Sequence, residues 1–256
     1  MSTPVTRDRP FLAPCRRLDA RAPLAWVAAG WRDYRAAMPV SLVYGLIVFA
    51  ISGAVSALAW QLGSYVLVLS MLSGFIFIAP LLATGLYSIS RQRARGETPS
   101  LGRSVRRMRL VLRDTLVFAL VLLVIFLVWV RAGVMVHVFF PPGEVIDWLA
   151  LARFLAIGSA VGSIFALVTF AAAAFSLPMI VDRDADMITA CITSINAVLR
   201  NKPAMVVWIA LIVALTGLGF ATLGLGLVVV IPLLGFATWH AYLETIDAEQ
   251  WPKSVD

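Results

Sequence analysis

Residues 36–90 have the sequence AAMPVSLVYGLIVFAISGAVSALAWQLGSYVLVLSMLSGFIFIAPLLATGLYSIS, which contains no charged side chain in 55 positions. A membrane-spanning α-helix needs about 20 consecutive apolar residues, so this stretch is long enough to cross a bilayer twice. A soluble domain would interrupt such a stretch with solvated loops, because few large apolar runs can be hidden from water. The sequence therefore predicts two membrane-spanning helices joined by a short turn.

The composition of the whole chain agrees with a membrane protein. Of its 256 residues 61% are hydrophobic and only 14% are charged, and the mean hydropathy is +0.92. Soluble domains have about a quarter charged residues. The two cysteines, Cys15 and Cys191, lie far apart and form no CxxC pair. We therefore expect neither a disulfide framework nor a thiolate metal site, and the Arg-rich start lacks the apolar core of a signal peptide.

We predict an all-α polytopic membrane protein with six transmembrane helices. Charged Arg131 interrupts the third uncharged stretch, and its side chain is expected to reach the interface at the outer end. Four glycines interrupt the last stretch, which is just long enough for two tight spans or, alternatively, for a re-entrant pair. The predicted spans are residues 39–60, 65–88, 115–140 and 154–181, with two more within residues 203–242.

The distribution of basic residues predicts the orientation in the membrane. On this topology 19 of the 21 Lys and Arg residues lie on one side, and cytoplasmic loops carry such an excess. We therefore expect both termini in the cytoplasm and the protein in a bacterial inner membrane. Residues 1–24 are expected to be a disordered cytoplasmic tail, residues 25–243 the membrane domain, and residues 244–256 a second cytoplasmic tail.

A similar pattern precedes each odd-numbered span. Apolar residues recur at i, i+4, i+7 and i+11 near residues 25–38, 100–114 and 186–200, which is typical of an amphipathic helix lying in the headgroup layer. Each returning span then carries a proline that is expected to kink it. The pattern indicates three degenerate units of interfacial helix plus hairpin, or simply three amphipathic connectors. The three prolines are Pro80, Pro178 and Pro232.

Two further patterns suggest contacts rather than chemistry. The GxxxG pair Gly158 and Gly162 permits close approach of two helices. The basic segment between the second and third spans is expected to face anionic lipid headgroups, which attract juxtamembrane arginines by ~1 kcal/mol per charge. We favour lipid over nucleic acid for this segment, because a lipid surface is always adjacent to it. The lipid-facing residues are predicted to be Arg103, Arg106, Arg107 and Arg113.

If the chain has a polar functional site, we expect it at the cytoplasmic mouth, where spans two, four and six end. The prolines in these spans free backbone carbonyls near this level, which can open a small polar pocket, but we favour an aromatic and acidic collar at the interface. His137 and His240 belong to opposite membrane faces, so we expect no metal and no cofactor. The candidate residues are Tyr87, Asp182, Arg183, Asp186, Trp239, His240 and Tyr242.

Several strings resemble a family of predicted bacterial integral membrane proteins of unknown function. The resemblance covers about residues 25–243, supports six spans and implies no established activity. Where the family pattern has a Gly-His pair this chain has Gly235 and Phe236, which removes a histidine four residues before His240. The strings are GWRDY (30–34), PVSLVYG (39–45), APLLATGLYSISR (79–91), GETPS (96–100), FSLPMIVDR (175–183) and ATWHAY (237–242).

Among functions, the sequence favours a structural or accessory membrane protein that is not an enzyme. It would engage lipids or a partner membrane complex through its basic cytoplasmic face, and a homo-oligomer is a further option. A transporter or channel for a small solute is the first alternative, although apart from Arg131 no ionisable residue lies deep in a predicted span, where ion-coupled transport usually needs one. A membrane enzyme acting on lipid comes only third, because the sequence contains no recognised nucleophile or metal motif.

Overall fold

The computed structural model describes residues 10–62, 80, 82–139 and 148–254. All regular elements in these ranges are helices. We label them α1 to α10 in chain order, with α3 at residues 82–94. The others are α1 (Ala22–Ala36), α2 (Met38–Leu62), α4 (Leu101–Leu110), α5 (Leu112–Phe139), α6 (Trp148–Ala173), α7 (Ser176–Asp182), α8 (Met187–Arg200), α9 (Lys202–Ala221) and α10 (Leu227–Thr245).

Five helical stretches within the described ranges are long and apolar enough to cross a bilayer. They match the predicted first, third, fourth, fifth and sixth spans, and a turn over residues 222–226 separates the last two. Most of the predicted second span lies outside the described residues, so the count of six stays a prediction. The five stretches are Met38–Leu58, Leu112–Met135, Leu151–Asp182, Lys202–Ala221 and Leu227–Thr245.

The helices pack most tightly at the end of the bundle that carries α1, α4, α8 and both described chain ends, which we call the basic end. The window of the α5 span is only 11% buried, whereas that of the α10 span is 56% buried. Tryptophans fill the core of the basic end, and the rings of Trp26 and Trp208 meet edge to face at 5.6 Å. Much of the remaining helical surface is therefore left for contact with lipid.

Two glycines let α1 and α2 lie directly against α10. A Cβ added to Gly30 would lie 2.7 Å from the Ala237 nitrogen, and one added to Gly45 would overlap the Val228 carbonyl group. In a regular helix the Val228 carbonyl would accept a hydrogen bond from the N–H four residues later, but that residue is Pro232, which has no N–H. The Val228 carbonyl that Pro232 leaves without an intrahelical donor therefore faces the backbone of Gly45, where the Cα–H can serve as a weak donor.

The predicted fourth span is not one regular helix, because α6 and α7 are separated at Ala174 and Phe175. The side chain of a serine on α8 takes the place of the missing helical hydrogen bond at this break. The Phe175 N–H donates to Ser194 Oγ at 3.0 Å, and the same hydroxyl donates to the Ala171 carbonyl at 2.7 Å. In a regular helix these two backbone groups would bond each other. The inserted hydroxyl, together with Pro178 one turn later, accounts for the break.

The described part of the structure does not show the close helix contact expected at the GxxxG pair. A Cβ on Gly158 would meet no atom within 4 Å, and one on Gly162 would make only an ordinary contact with the Trp129 side chain. Among the described residues this pair therefore does not bring two helix backbones together. Close contacts with the α10 backbone lie instead at Gly30 and Gly45, which have no GxxxG spacing.

The N-terminal segment also differs from the prediction that residues 1–24 are disordered, because residues 13–18 are held in place. Ala13 is fully buried, and its N–H donates to Thr193 Oγ1 at 3.1 Å. Asn201 at the end of α8 accepts from the Leu18 N–H at 2.8 Å. Cys15 forms an isolated antiparallel bridge with Ile246 just after α10. The two described ends of the chain are therefore joined to each other at the basic end.

Candidate functional site

Three of the predicted residues, Asp182, Arg183 and Tyr242, form a charged cluster around Asp182, the last residue of α7. The Tyr242 hydroxyl donates to Asp182 Oδ2 at 3.0 Å, and Arg183 Nε donates to the same oxygen at 2.9 Å. Arg91 Nε lies 3.9 Å from the other carboxylate oxygen. Asp182 is only 7% exposed and Arg91 only 4%. We call Arg91, Asp182, Arg183 and Tyr242 the Asp182 cluster.

Backbone carbonyls complete the hydrogen bonding around this cluster. Arg183 Nη1 donates to the Trp251 carbonyl at 3.0 Å, and Arg91 Nη2 donates to the Ser254 carbonyl. The Ser254 N–H in turn donates to the Asp182 carbonyl at 3.0 Å. The predicted C-terminal tail therefore packs against the cluster, and Trp251 is 2% exposed.

His240 belongs to a different cluster from Asp182. Its Nε2 lies 2.9 Å from Asp33 Oδ2, which also accepts from the Ser90 hydroxyl at 3.0 Å. Arg93 Nε lies 3.5 Å from Asp33 Oδ1. We call Asp33, Ser90, Arg93 and His240 the Asp33 cluster. It joins α1, α3 and α10, so the predicted site is divided between two acids.

The remaining predicted residues lie beside these clusters or apart from them. Trp239 is 1% exposed and its ring packs 5.8 Å from that of Tyr242. Tyr87, on α3, is buried in the same core. Asp186 instead caps α8, accepting from the Thr189 N–H at 2.9 Å and from the Thr189 hydroxyl at 2.7 Å. Burial favours a raised pKa for Asp186, but these hydrogen bonds outweigh it and lower the pKa.

The predicted lipid-facing arginines are not all equivalent. Arg106 and Arg113 are exposed, and Arg103 is paired with Glu97 at 3.3 Å. Arg107 is 3% exposed, and its Nε and Nη2 donate to the Val181 carbonyl at 3.1 and 2.6 Å. Arg107 therefore fastens α4 to the end of α7 instead of facing a lipid surface.

Sequence reasoning did not assign Asp33, Ser90, Arg91 and Arg93 to the site. One signal was available: acids are scarce before residue 97, so the few that occur among arginines are strong candidates for ion pairs. The hydrogen bonds between the C-terminal segment and the Asp182 cluster leave no comparable signal in the sequence, because their acceptors are backbone carbonyls, which every residue has.

The clusters are suited to holding helices together. In each, a carboxylate is balanced by at least one arginine and hydrogen-bonded by a hydroxyl, as a buried charge requires. Among the described residues no group of three His, Cys, Asp or Glu is arranged to hold a metal ion.

Residues 67–182 match the model of a family described as "Predicted integral membrane protein (DUF2189)". The match covers less than half of the chain, and over that part the chain is similar to this family. No curated protein and no solved structure matches the chain. The likeness and the five apolar stretches together indicate an integral membrane protein with several spans.

Proposed function

We propose that this chain is an accessory protein of the bacterial inner membrane that gathers anionic lipids at its basic end. The observation that carries the proposal is the reversed polarity of α8. Its large apolar residues are exposed, whereas its buried face consists of small and polar residues. A helix on a water-facing surface has the opposite arrangement. The exposed residues of α8 are Ile188 (62%), Ile192 (43%), Ile195 (38%) and Leu199 (57%).

Exposed arginines of the same end supply the preference for anionic lipid. Arg109 and Arg113 are exposed at the junction of α4 and α5, beside exposed Leu110 and Leu112. Apolar side chains next to arginines are suited to the boundary between acyl chains and phosphates. The proposal is a binding role without catalysis, in which lipids, rather than nucleic acid, are the partners.

Lipid preference is measurable through the tryptophans of the chain. In vesicles of phosphatidylcholine with brominated phosphatidylglycerol, we expect stronger quenching than with brominated phosphatidylcholine. Replacing Arg109 and Arg113 together by glutamine removes an attraction of ~1 kcal/mol per charge, so the preference should fall several-fold and approach its high-salt value.

The matched control is Arg153→Gln, which removes one exposed charge from the predicted opposite end. This variant should keep the lipid preference of the unmodified protein. Equal quenching by both brominated lipids in the unmodified protein would contradict the proposal.

We also propose that the basic end faces the cytoplasm. The hydrogen bonds Arg16 N–H to Thr245 carbonyl and Asp247 N–H to Pro14 carbonyl, at 2.8 and 2.9 Å, support placing both chain ends on one side. Leu223, 93% exposed in the turn between α9 and α10, should then be periplasmic.

Alkaline phosphatase inserted at Leu223 should be active in cells, and the same enzyme fused after residue 256 should be inactive. Green fluorescent protein at the two sites should give the reverse pattern. Phosphatase activity at the C-terminal fusion would contradict the orientation.

A further inference from the structure

A depression opens at the basic end between α3, the turn after it and α4. Five arginines and one carboxylate contribute to its lining, and its space, including the part open to solvent, is about 320 Å³. The side chains of the lining thus carry an excess of four positive charges, which becomes three when Asp182 beside Arg91 is included. The charged residues are Arg91, Arg95, Arg103, Arg106, Arg107 and Glu97.

The floor of the depression is rigidly held. Arg91 and Arg107 are 4% and 3% exposed, and they are fixed on α7 through Asp182 and the Val181 carbonyl. Arg103 at the rim is oriented by Gln92, whose Oε1 accepts from its Nε at 3.2 Å. Positive groups positioned in advance bind an anion at a lower cost in conformational entropy.

We propose that this depression binds a phosphate group. Guanidinium groups match phosphate oxygens with paired, charge-assisted hydrogen bonds. The buried arginines keep their protein partners, so the attraction comes from the excess charge of the lining and from the rim arginines Arg103 and Arg106. The small, open space suits one phosphate group rather than a bulky ligand. The inference goes beyond the lipid contact proposed above, because the depression is lined by other arginines than Arg109 and Arg113. A lipid headgroup and a soluble phosphate would both offer this site the same phosphate chemistry.

Inorganic phosphate is the first probe. The full-length protein in a nonionic detergent is heated with increasing phosphate, and sodium chloride keeps the ionic strength constant. A ligand that binds the folded state raises the melting temperature in a saturable way. We expect such a rise, an apparent affinity about tenfold weaker in Arg106→Gln, and an affinity within about a factor of two of the original in Arg35→Gln.

Arg35 is the matched control because it is an exposed arginine on α1 at the same end of the bundle but does not line the depression. Glu97→Gln removes the one carboxylate of the lining and should strengthen phosphate binding. Absence of saturable stabilisation, or an equal loss of affinity in the Arg106 and Arg35 variants, would contradict the proposed phosphate site.

A second arm identifies the source of the phosphate group. The protein is placed in nanodiscs of phosphatidylcholine with or without phosphatidylglycerol, and the phosphate titration is repeated. Loss of the phosphate effect in the anionic nanodiscs assigns the site to a lipid headgroup, and persistence assigns it to a soluble phosphate compound; either result supports the pocket. The quenching test on Arg109 and Arg113 is independent, so failure of the lipid contact and failure of the pocket are distinguishable.

Discussion

Gly45→Ala is expected to lower the free energy of unfolding by about 3 kcal/mol, at the upper end of the cost of overpacking a well-filled site. The added methyl group would overlap the Val228 carbonyl, which belongs to the α10 backbone and not to a flexible side chain. Relief therefore requires α2 and α10 to move apart. The melting temperature in detergent micelles measures the loss.

Gly53 provides the control in the same helix. A Cβ there would meet no atom within 4 Å, so Gly53→Ala should leave the melting temperature unchanged or raise it slightly, as alanine is the better helix former by up to ~1 kcal/mol. If Gly45→Ala and Gly53→Ala melt at the same temperature, the close packing of α2 on α10 is incorrect.

Asp182→Ala is expected to cost about 3–5 kcal/mol, as does removal of one partner from a buried ion pair. The change leaves Arg91 buried without its carboxylate and removes the acceptor of the Tyr242 hydroxyl. Tyr242→Phe removes only one hydrogen bond and should cost about 1–3 kcal/mol. Unfolding in mixed micelles would give both values.

Glu249→Ala is the control, because Glu249 is an exposed acid and its loss should be nearly neutral. The same measurement distinguishes a structural collar from a ligand site at the cytoplasmic mouth. If Asp182→Ala retains full stability and abolishes a cellular phenotype, the Asp182 cluster is a site for a ligand and not a structural fastening.

The positions of the helices followed from the sequence because they depend on local patterns. Uncharged stretches of about 20 residues placed five of the spans. The amphipathic spacing placed helices at α1, α4 and α8. These signals need no knowledge of which parts of the chain meet.

The contacts were harder to predict because they depend on distant partners. Gly45 matters through its contact with Val228, and nothing near Gly45 in the sequence marks it, whereas the more conspicuous Gly158 meets no partner in the described part of the chain. Likewise Arg107 and Arg106 are adjacent arginines, yet only Arg107 is buried on the Val181 carbonyl. The sequence identified Asp182 and His240 as polar candidates but could not assign them to separate clusters.

The bridge between Cys15 and Ile246 has a consequence for biogenesis. Its two halves lie far apart along the chain, and synthesis of the intervening residues takes roughly 10–50 s at 5–20 residues per second. For most of that time Ala13 also lacks its α8 partner Thr193, so the N-terminal segment is without both of these partners. This bridge therefore cannot close the basic end until Ile246 has been made, and an incompletely inserted chain would expose an unpaired segment that cellular proteases can recognise.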